Sequence, residues 1–165
     1  MLSTLALGAC GFKPLYYRGG EEAGPVTEAL GAVYIHPLQD RTGQQMHNLL
    51  RDRLNPRGHH TAPIYGLRVD LTETLLALNI RQDATATRNN LTVRADFTLY
   101  ELASGETLFI GKSRSTNSYD ILENQFATSV AEADARERSL RVLSDAVKTR
   151  LAVYFSAQDG APGAE

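Results

Sequence analysis

LTVRADFTLY, residues 91–100, alternates apolar and polar side chains over its whole length. This period of two places the apolar side chains on one face of a β-strand and the polar ones on the other. The next residues, ASGE at 103–106, are typical of a turn, and residues 107–119 return as a strand rich in serine and threonine. These segments predict an antiparallel hairpin with one buried face and one face toward solvent.

A further strand is predicted upstream, within residues 67–80, but its apolar side chains change parity along the way. They are Leu67, Val69 and Leu71 on one face and Leu76, Leu78 and Ile80 on the other. A period of two cannot change face without an extra residue, so we expect a bulge or a break near Leu75. Residues 82–87 are polar and predict the connection to the next strand.

Two segments have the spacing of amphipathic helices. Thr42 and Gln45 match a capping box, which predicts a first helix over residues 43–54 after a short strand, AVYIHP, at 32–37. Residues 124–155 contain no glycine or proline and predict a long second helix. Its apolar stripe, in steps of three and four, consists of Leu140, Leu143, Val147, Leu151 and Tyr154.

The predicted order of elements is β-α-β-β-β-α. One face of the sheet needs cover and two amphipathic helices are available, which predicts an α+β fold. We expect a two-layer sandwich, in which two helices cover one face of a four-stranded, mostly antiparallel sheet. The single domain is expected to span residues 32–155, and the polar residues 156–165 are expected to form a disordered tail.

Composition excludes several classes of protein. The chain has 165 residues, of which 42% are apolar and 22% are charged, with a formal net charge of −2. These values fit one globular domain and exclude a disordered chain. No stretch reaches the roughly 18 consecutive apolar residues of a transmembrane helix. The small net charge argues against nucleic acid as a partner.

The single cysteine, Cys10, follows a short apolar run, MLSTLALGA, at residues 1–9. Residues 7–10, LGAC, resemble a bacterial lipobox, in which small residues precede a cysteine that becomes lipidated. We therefore expect residues 1–9 to be the remnant of an incomplete signal peptide and Cys10 to carry lipid. Residues 10–31, rich in glycine and glutamate, are expected to be a lipidated N-terminus and linker. The alternative is a frayed terminus with an incidental cysteine.

No recognisable catalytic set is present in the sequence. Residues 111–113, GKS, resemble the end of a phosphate-binding loop, but they lie in a predicted strand and lack the preceding glycine. His59 and His60 are adjacent without spaced partners, which makes a poor metal site. We therefore expect no enzymatic activity, no metal and no cofactor other than covalent lipid on Cys10. A lipoprotein hydrolase would need a nucleophile set that is not visible here.

Six short motifs occur in order along nearly the whole chain. They are CGFKPLY at 10–16, DRTGQ at 40–44, TATRNNL at 85–91, DFTLY at 96–100, SYD at 118–120 and AEADA at 131–135. In this order and spacing they resemble the alphaproteobacterial LptE family of lipopolysaccharide-assembly lipoproteins. The resemblance implies the same two-layer sandwich that the residue patterns predict.

The resemblance also implies a function and partners. Members of this family are non-enzymatic lipoproteins, anchored on the periplasmic face of the outer membrane. They plug the LptD β-barrel, support its assembly and assist insertion of lipopolysaccharide into the outer leaflet. The implied partners are therefore the barrel, lipopolysaccharide and the membrane, the last through lipid on Cys10. A periplasmic auxiliary lipoprotein of an ABC-type lipid transporter is the alternative.

Basic side chains are the candidates for contact with the phosphates of lipopolysaccharide, because a guanidinium binds phosphate through two parallel hydrogen bonds. Arg81 and Arg88 flank the polar connection before residues 91–100, and the resemblance implies basic residues in this area. Arg53, near the end of the first predicted helix, and Arg136, on the second, are further candidates. The alternative for each is an ordinary solvated charge.

Overall fold

A four-stranded sheet carries three helices on one face. The computed structural model describes residues 24–56, 62–78 and 87–159. The elements are α1 (Pro25–Gly31), β1 (Val33–Ile35), α2 (Asp40–Leu54), β2 (Tyr65–Leu78), β3 (Thr87–Glu101), β4 (Thr107–Ile121) and α3 (Gln125–Asp159). The strand order is β1-β2-β3-β4, with β1 parallel to β2 and the other pairs antiparallel. The predicted α+β sandwich is confirmed.

Strand β3 and helix α3 build the centre of the core. The alternating residues Leu91, Val93, Ala95, Phe97 and Leu99 are all at most 2% exposed. Facing them, the helical stripe of Leu140, Leu143, Val147 and Leu151 is fully buried. Helix α3 lies over β3 and β4, and α2 packs beside it. Both apolar patterns therefore mark the inner face of the sheet and the buried side of α3.

Helix α1 corrects the predicted linker. Residues 10–31 were expected to have little regular structure, yet Pro25–Gly31 form a helix. Its Val26 and Leu30, four residues apart, are both buried in the core. Proline suits the first helical turn because its missing N–H has no partner there. The element order is therefore α-β-α-β-β-β-α, with three helices, and residues 1–23 lie outside the described part.

Helix α2 begins differently from the prediction. The expected capping box of Thr42 and Gln45 is wrong, because the helix already starts at Asp40. The backbone N–H of Gly43 donates to Oδ1 of Asp40 at 2.8 Å. Asp40 has a φ of +61°, a conformation that aspartate tolerates better than most side chains. The aspartate therefore satisfies the first turn that the threonine was expected to cap.

The predicted bulge near Leu75 is absent. Strand β2 pairs with β3 without a register shift from Tyr65 to Leu78, and the irregularity lies between Leu99 and Tyr100, in the pairing of β3 with β4. Leu76 keeps the parity of the outer face and is 58% exposed. The end of β2 extends beyond the core, so its apolar side chains do not indicate which face is buried.

Helix α3 is longer than predicted and defines the long axis of the molecule. It runs to Asp159, so residues 156–159 of the expected disordered tail are helical. At 1.5 Å per residue, it spans about 50 Å. Its C-terminal part is held by aromatic contacts, with ring centroids 5.0 Å apart for Phe155 and Tyr65 and 5.4 Å for Tyr154 and Phe109. We call the end of the sandwich at which these four aromatic side chains lie the proximal end.

Gly111 on β4 lies directly opposite Phe97 on β3. A Cβ atom at residue 111 would lie 2.2 Å from Cζ of Phe97, so any larger side chain must displace the ring. We expect Gly111→Ala to lower the free energy of unfolding by about 1–3 kcal/mol, the usual cost of overpacking. Urea denaturation followed by circular dichroism measures it, with Ser113→Ala on the same strand as the control. An unchanged denaturation midpoint for Gly111→Ala would contradict this packing.

Candidate functional site

The opposite end of the sandwich, which we call the distal end, gathers three strand ends. Leu78 at the end of β2 is paired with Arg88 near the start of β3, which is paired with Asp120 near the end of β4. Helix α3 begins only a few residues later, at Gln125. The predicted candidate Arg81 lies in the connection between β2 and β3, outside the described residues.

Arg88 lies on the outer face of the distal end. Its Nε donates to Oδ1 of Asp120 at 3.1 Å, and the Arg88 side chain is 54% exposed. An ion pair this accessible to water contributes little to stability, because solvent competes for both partners. The Arg88 guanidinium is therefore free to exchange its carboxylate for another anion.

Arg136 lies on α3, on the opposite side of the sheet from Arg88. Its Nε donates to Oε1 of Glu73 at 2.9 Å and its Nη2 donates to Oε1 of Glu132 at 2.7 Å. The hydrogen bond to Glu73 is the main reason that the pKa of the Arg136 guanidinium is raised, with Glu132 adding to it against partial burial. Two carboxylates already bind this cation. Because Glu73 belongs to β2 and Glu132 to α3, Arg136 links the helix to the sheet.

Polar contacts continue from this pair between the two layers. Tyr119 Oη donates to Oε2 of Glu132 at 3.3 Å, and Nδ2 of Asn89 donates to Tyr119 Oη at 3.2 Å. Nearby, Nδ2 of Asn117 donates to Oγ of Ser139 at 2.8 Å. The interlayer space is therefore polar toward the distal end, in contrast to its aromatic proximal end. This change could not be predicted from the sequence, because the alternation alone does not separate buried polar side chains from exposed ones.

Arg53 lies on α2 and forms an ion pair with Asp145 of α3. Its Nε contacts Oδ1 of Asp145, and its Nη2 donates to Oδ2 at 3.3 Å. The pair joins the two helices, and only 21% of the Arg53 side chain is exposed. Arg53, Arg88 and Arg136 therefore lie in three separate environments and do not form one cluster.

Apolar side chains protrude at the distal end. They are Leu75, Leu76, Leu122, Phe126 and Val130, and each is more than half exposed. Several large apolar side chains at one end of a molecule are typical of a surface that contacts another protein or a lipid. This group has no signal in the sequence pattern, because three of its members come from the β4–α3 junction and the start of a long helix.

The outer face of the sheet is polar and internally hydrogen bonded. The hydroxyls of Thr92 and Thr116 are 3.0 Å apart, and Oγ of Ser118 donates to Oδ1 of Asn90 at 2.6 Å. These cross-strand contacts keep the hydroxyl and amide side chains of β3 and β4 in fixed positions. The outer face is therefore a stable surface with many polar groups that can contact water or the polar surface of another protein.

The described ranges 24–56, 62–78 and 87–159 offer neither a metal site nor a membrane-spanning helix. These ranges contain no group of three or more His, Cys, Asp or Glu side chains placed to hold a metal ion. None of the helices within them combines the length and apolarity needed to cross a membrane. Cys10, His59 and His60 lie outside the described residues.

Solved structures of lipoproteins share this fold. A predicted lipoprotein from Caulobacter crescentus CB15 matches with a TM-score of 0.64 at 19% identity, over 79% of this chain and 96% of that one. The rare lipoprotein B from Shewanella oneidensis matches with a TM-score of 0.59 at 14% identity, over 77% of this chain and 96% of that one. A minor lipoprotein from Acinetobacter baumannii matches with a TM-score of 0.55 at 17% identity, over 73% of this chain and 88% of that one.

Family membership follows from the sequence itself. A search of curated proteins gave no match. The family model for lipopolysaccharide assembly, LptE, matches residues 30–151, a range that includes β1 and most of α3. This range covers the whole sheet together with α2, so the match and the fold describe the same domain. The chain therefore belongs to the LptE family of lipopolysaccharide-assembly proteins.

Proposed function

We propose that this protein is a non-enzymatic, lipid-anchored lipoprotein on the periplasmic face of the outer membrane. In this proposal it plugs the LptD-type β-barrel, supports its assembly and assists insertion of lipopolysaccharide into the outer leaflet. Family membership supports a role in lipopolysaccharide assembly. The barrel partner, the anchor and the location are the further steps that the proposal adds.

The distal end is the observation that carries the proposal. It combines the accessible guanidinium of Arg88 with Leu76, an apolar side chain that is 58% exposed on the same outer face, one strand pair away. Phe126, at the start of α3, adds a further apolar side chain that is 75% exposed at this end. Lipopolysaccharide has phosphates beside acyl chains, so a surface that offers a cation next to apolar groups matches its chemistry. This arrangement favours contact with lipid at the distal end.

The shape and the outer face suit insertion into a barrel. A plug needs a rigid, elongated body, and α3 alone spans about 50 Å. The lumen of a large outer-membrane barrel is polar and wet, and the outer sheet face offers hydroxyl and amide groups such as Thr92, Thr116 and Ser118. A hydrogen-bonding face on an elongated sandwich therefore supports the plug arrangement.

The tether would be supplied by lipid on Cys10. A single acyl chain gives only marginal membrane binding, whereas two or more chains hold a protein stably at the bilayer. A fully acylated N-terminal cysteine would therefore keep the domain at the membrane while residues 11–23 connect it to α1. The anchor and the barrel are then two independent means of retention.

Reversing the charge of Arg81 and Arg88 tests the lipid contact. We expect Arg81→Asp with Arg88→Asp to weaken lipopolysaccharide binding by about tenfold and to leave barrel association intact, because Arg88 lies at the distal end and Arg81 precedes it by only seven residues in the sequence. The loss should be smaller at high salt, since exposed charges are screened. Binding is measured with immobilised lipopolysaccharide at two ionic strengths.

The matched control reverses two exposed arginines on α2, Arg41→Asp with Arg51→Asp, which changes net charge equally at another place. Circular dichroism verifies that both double variants fold. Equal lipopolysaccharide binding by the folded Arg81/Arg88 variant and the unmodified protein would contradict the proposed contact. An equal loss in the α2 control would show that only the total charge matters.

A further inference from the structure

A cleft of about 570 Å³ lies where α3 passes beside β4. Three consecutive β4 residues, 112–114, line it together with Val142, Ala146 and Arg150 of α3. Consecutive residues of a strand point to opposite faces, so a cleft that contacts all three must run along the edge of the strand. The cleft is therefore a groove between the edge of the sheet and one side of α3.

The edge that lines this groove has no strand beside it in the described part of the chain. Strand β4 is last in the sheet and pairs with β3 alone, although it extends from Thr107 to Ile121. Half of the backbone N–H and C=O groups of such an edge point away from the sheet and are available to another strand. The groove thus offers a long row of backbone donors and acceptors.

The groove is strongly cationic. Arg94, Lys112, Arg114 and Arg150 line it, and none of the described residues that line it is acidic. Arg94 forms two hydrogen bonds of 2.8 Å with Asp96. The Nζ atom of Lys112 lies 3.9 Å from Oδ1 of the same aspartate.

Arg114 and Arg150 have no carboxylate partner among the described residues. Arg114 is also paired directly with Arg94 across the two strands. Like charges in this position are unfavourable, and an added anion would relieve them.

The α3 side of the groove is mostly apolar. Val142, Ala146 and Arg150 follow each other at intervals of four residues and so lie on one side of the helix. Val142 is 54% exposed, so its apolar surface is open to a ligand in the groove. A strand placed beside β4 would direct alternate side chains toward this apolar side and the others toward Lys112 and Arg114.

From these features we infer that the free edge of β4 binds an extended acidic segment of a partner protein as a fifth strand of the sheet. Its backbone would pair with β4, its carboxylates would face Lys112 and Arg114, and its apolar side chains would contact Val142 and Ala146. A second copy of β4 is a poor occupant, because antiparallel pairing around residue 113 would bring the cations of both copies together. This inference is independent of the proposed lipid contact and of the barrel.

A defined peptide tests the inference with the purified full chain. The probe is a peptide of about ten residues, a usual length for a strand, that alternates glutamate with valine. We expect it to bind and to slow hydrogen exchange at backbone amides of β4. We expect Arg114→Glu with Arg150→Glu to weaken binding by about tenfold, whereas the control Arg41→Glu with Arg51→Glu on α2 keeps it.

A second probe separates strand pairing from simple charge attraction without altering the protein. It has the same sequence but carries an N-methyl group on every backbone amide, which removes all N–H donors and blocks strand pairing through either edge of the peptide. We expect this probe to lose binding to the unmodified protein. The inference is overturned if both peptides bind equally or if the first peptide does not bind. It is also overturned if the first peptide slows hydrogen exchange only at amides outside β4. None of these measurements involves lipopolysaccharide or a barrel, so failure here leaves the proposed function standing.

Discussion

Replacing Leu143 with alanine is expected to lower the free energy of unfolding by about 2–5 kcal/mol, the usual range for a leucine removed from a core. The Leu143 side chain is fully buried between α3 and the inner face of the sheet. Leu143 belongs to the same buried core cluster as Val93 and Val147. A core of packed side chains relaxes only partly into the space that a truncated leucine leaves behind. Urea denaturation followed by circular dichroism measures the change.

The adjacent residue supplies the control. Val142 lies on the same helix but is 54% exposed, so Val142→Ala should change the free energy of unfolding by less than about 0.5 kcal/mol. If Leu143→Ala had an equally small effect, the stripe on α3 would not be part of the core. The packing of α3 on the sheet would then be wrong.

Replacing Cys10 with serine is expected to move the protein from the membrane fraction to the soluble fraction. Serine cannot form the thioether to which the lipid is attached, and Cys10 is the only cysteine of the chain. The folded domain should be unchanged, because the described core begins at Val26 of α1. Fractionation with salt washes measures the distribution, and circular dichroism of the soluble variant verifies its fold.

Two outcomes of that experiment need to be separated. The variant could still sediment because the barrel retains it, so the fractionation is repeated in cells that lack the barrel. Release only in those cells would show that barrel and anchor both hold the protein. Sedimentation in both strains would contradict lipidation of Cys10 as the anchor.

The central part of the fold could be predicted because its patterns have strong physical causes. Along residues 91–99 a single slip of register would turn every buried side chain toward solvent, so the alternation specifies the inner face of β3. The stripe from Leu140 to Leu151 likewise specifies the buried side of α3. Both predictions are confirmed at each of these positions.

The margins of the fold could not be predicted in the same way. Helix α1 is seven residues long and is stabilised by packing of Val26 and Leu30, which short-range composition does not reveal. At the end of β2, Leu76 lies on the outer face beyond the core, so its parity predicted a bulge that is absent. In both places tertiary position, and not local pattern, decides the structure.

The contacts of the arginines could be predicted even less than the margins of the fold, because they depend on the register between strands and on the placement of α3. Arg136 and Glu73 are 63 residues apart in sequence, and their contact follows only from how α3 lies over the sheet, where the long Arg136 side chain reaches β2. Arg94 and Arg114 become neighbours through the exact pairing of β3 with β4, which includes a shift between Leu99 and Tyr100. Individual arginines could therefore be proposed from the sequence, whereas their contact partners became visible only in the structure.

Co-purification from outer membranes in mild detergent tests the proposed function most directly. The protein carries an affinity tag after residue 165, and its stable partners are identified by mass spectrometry. We predict one dominant partner, a large outer-membrane β-barrel of the LptD type, retained through high-salt washing. Recovery of inner-membrane subunits of an ABC-type lipid transporter in its place, or recovery of the protein alone, would contradict the plug function.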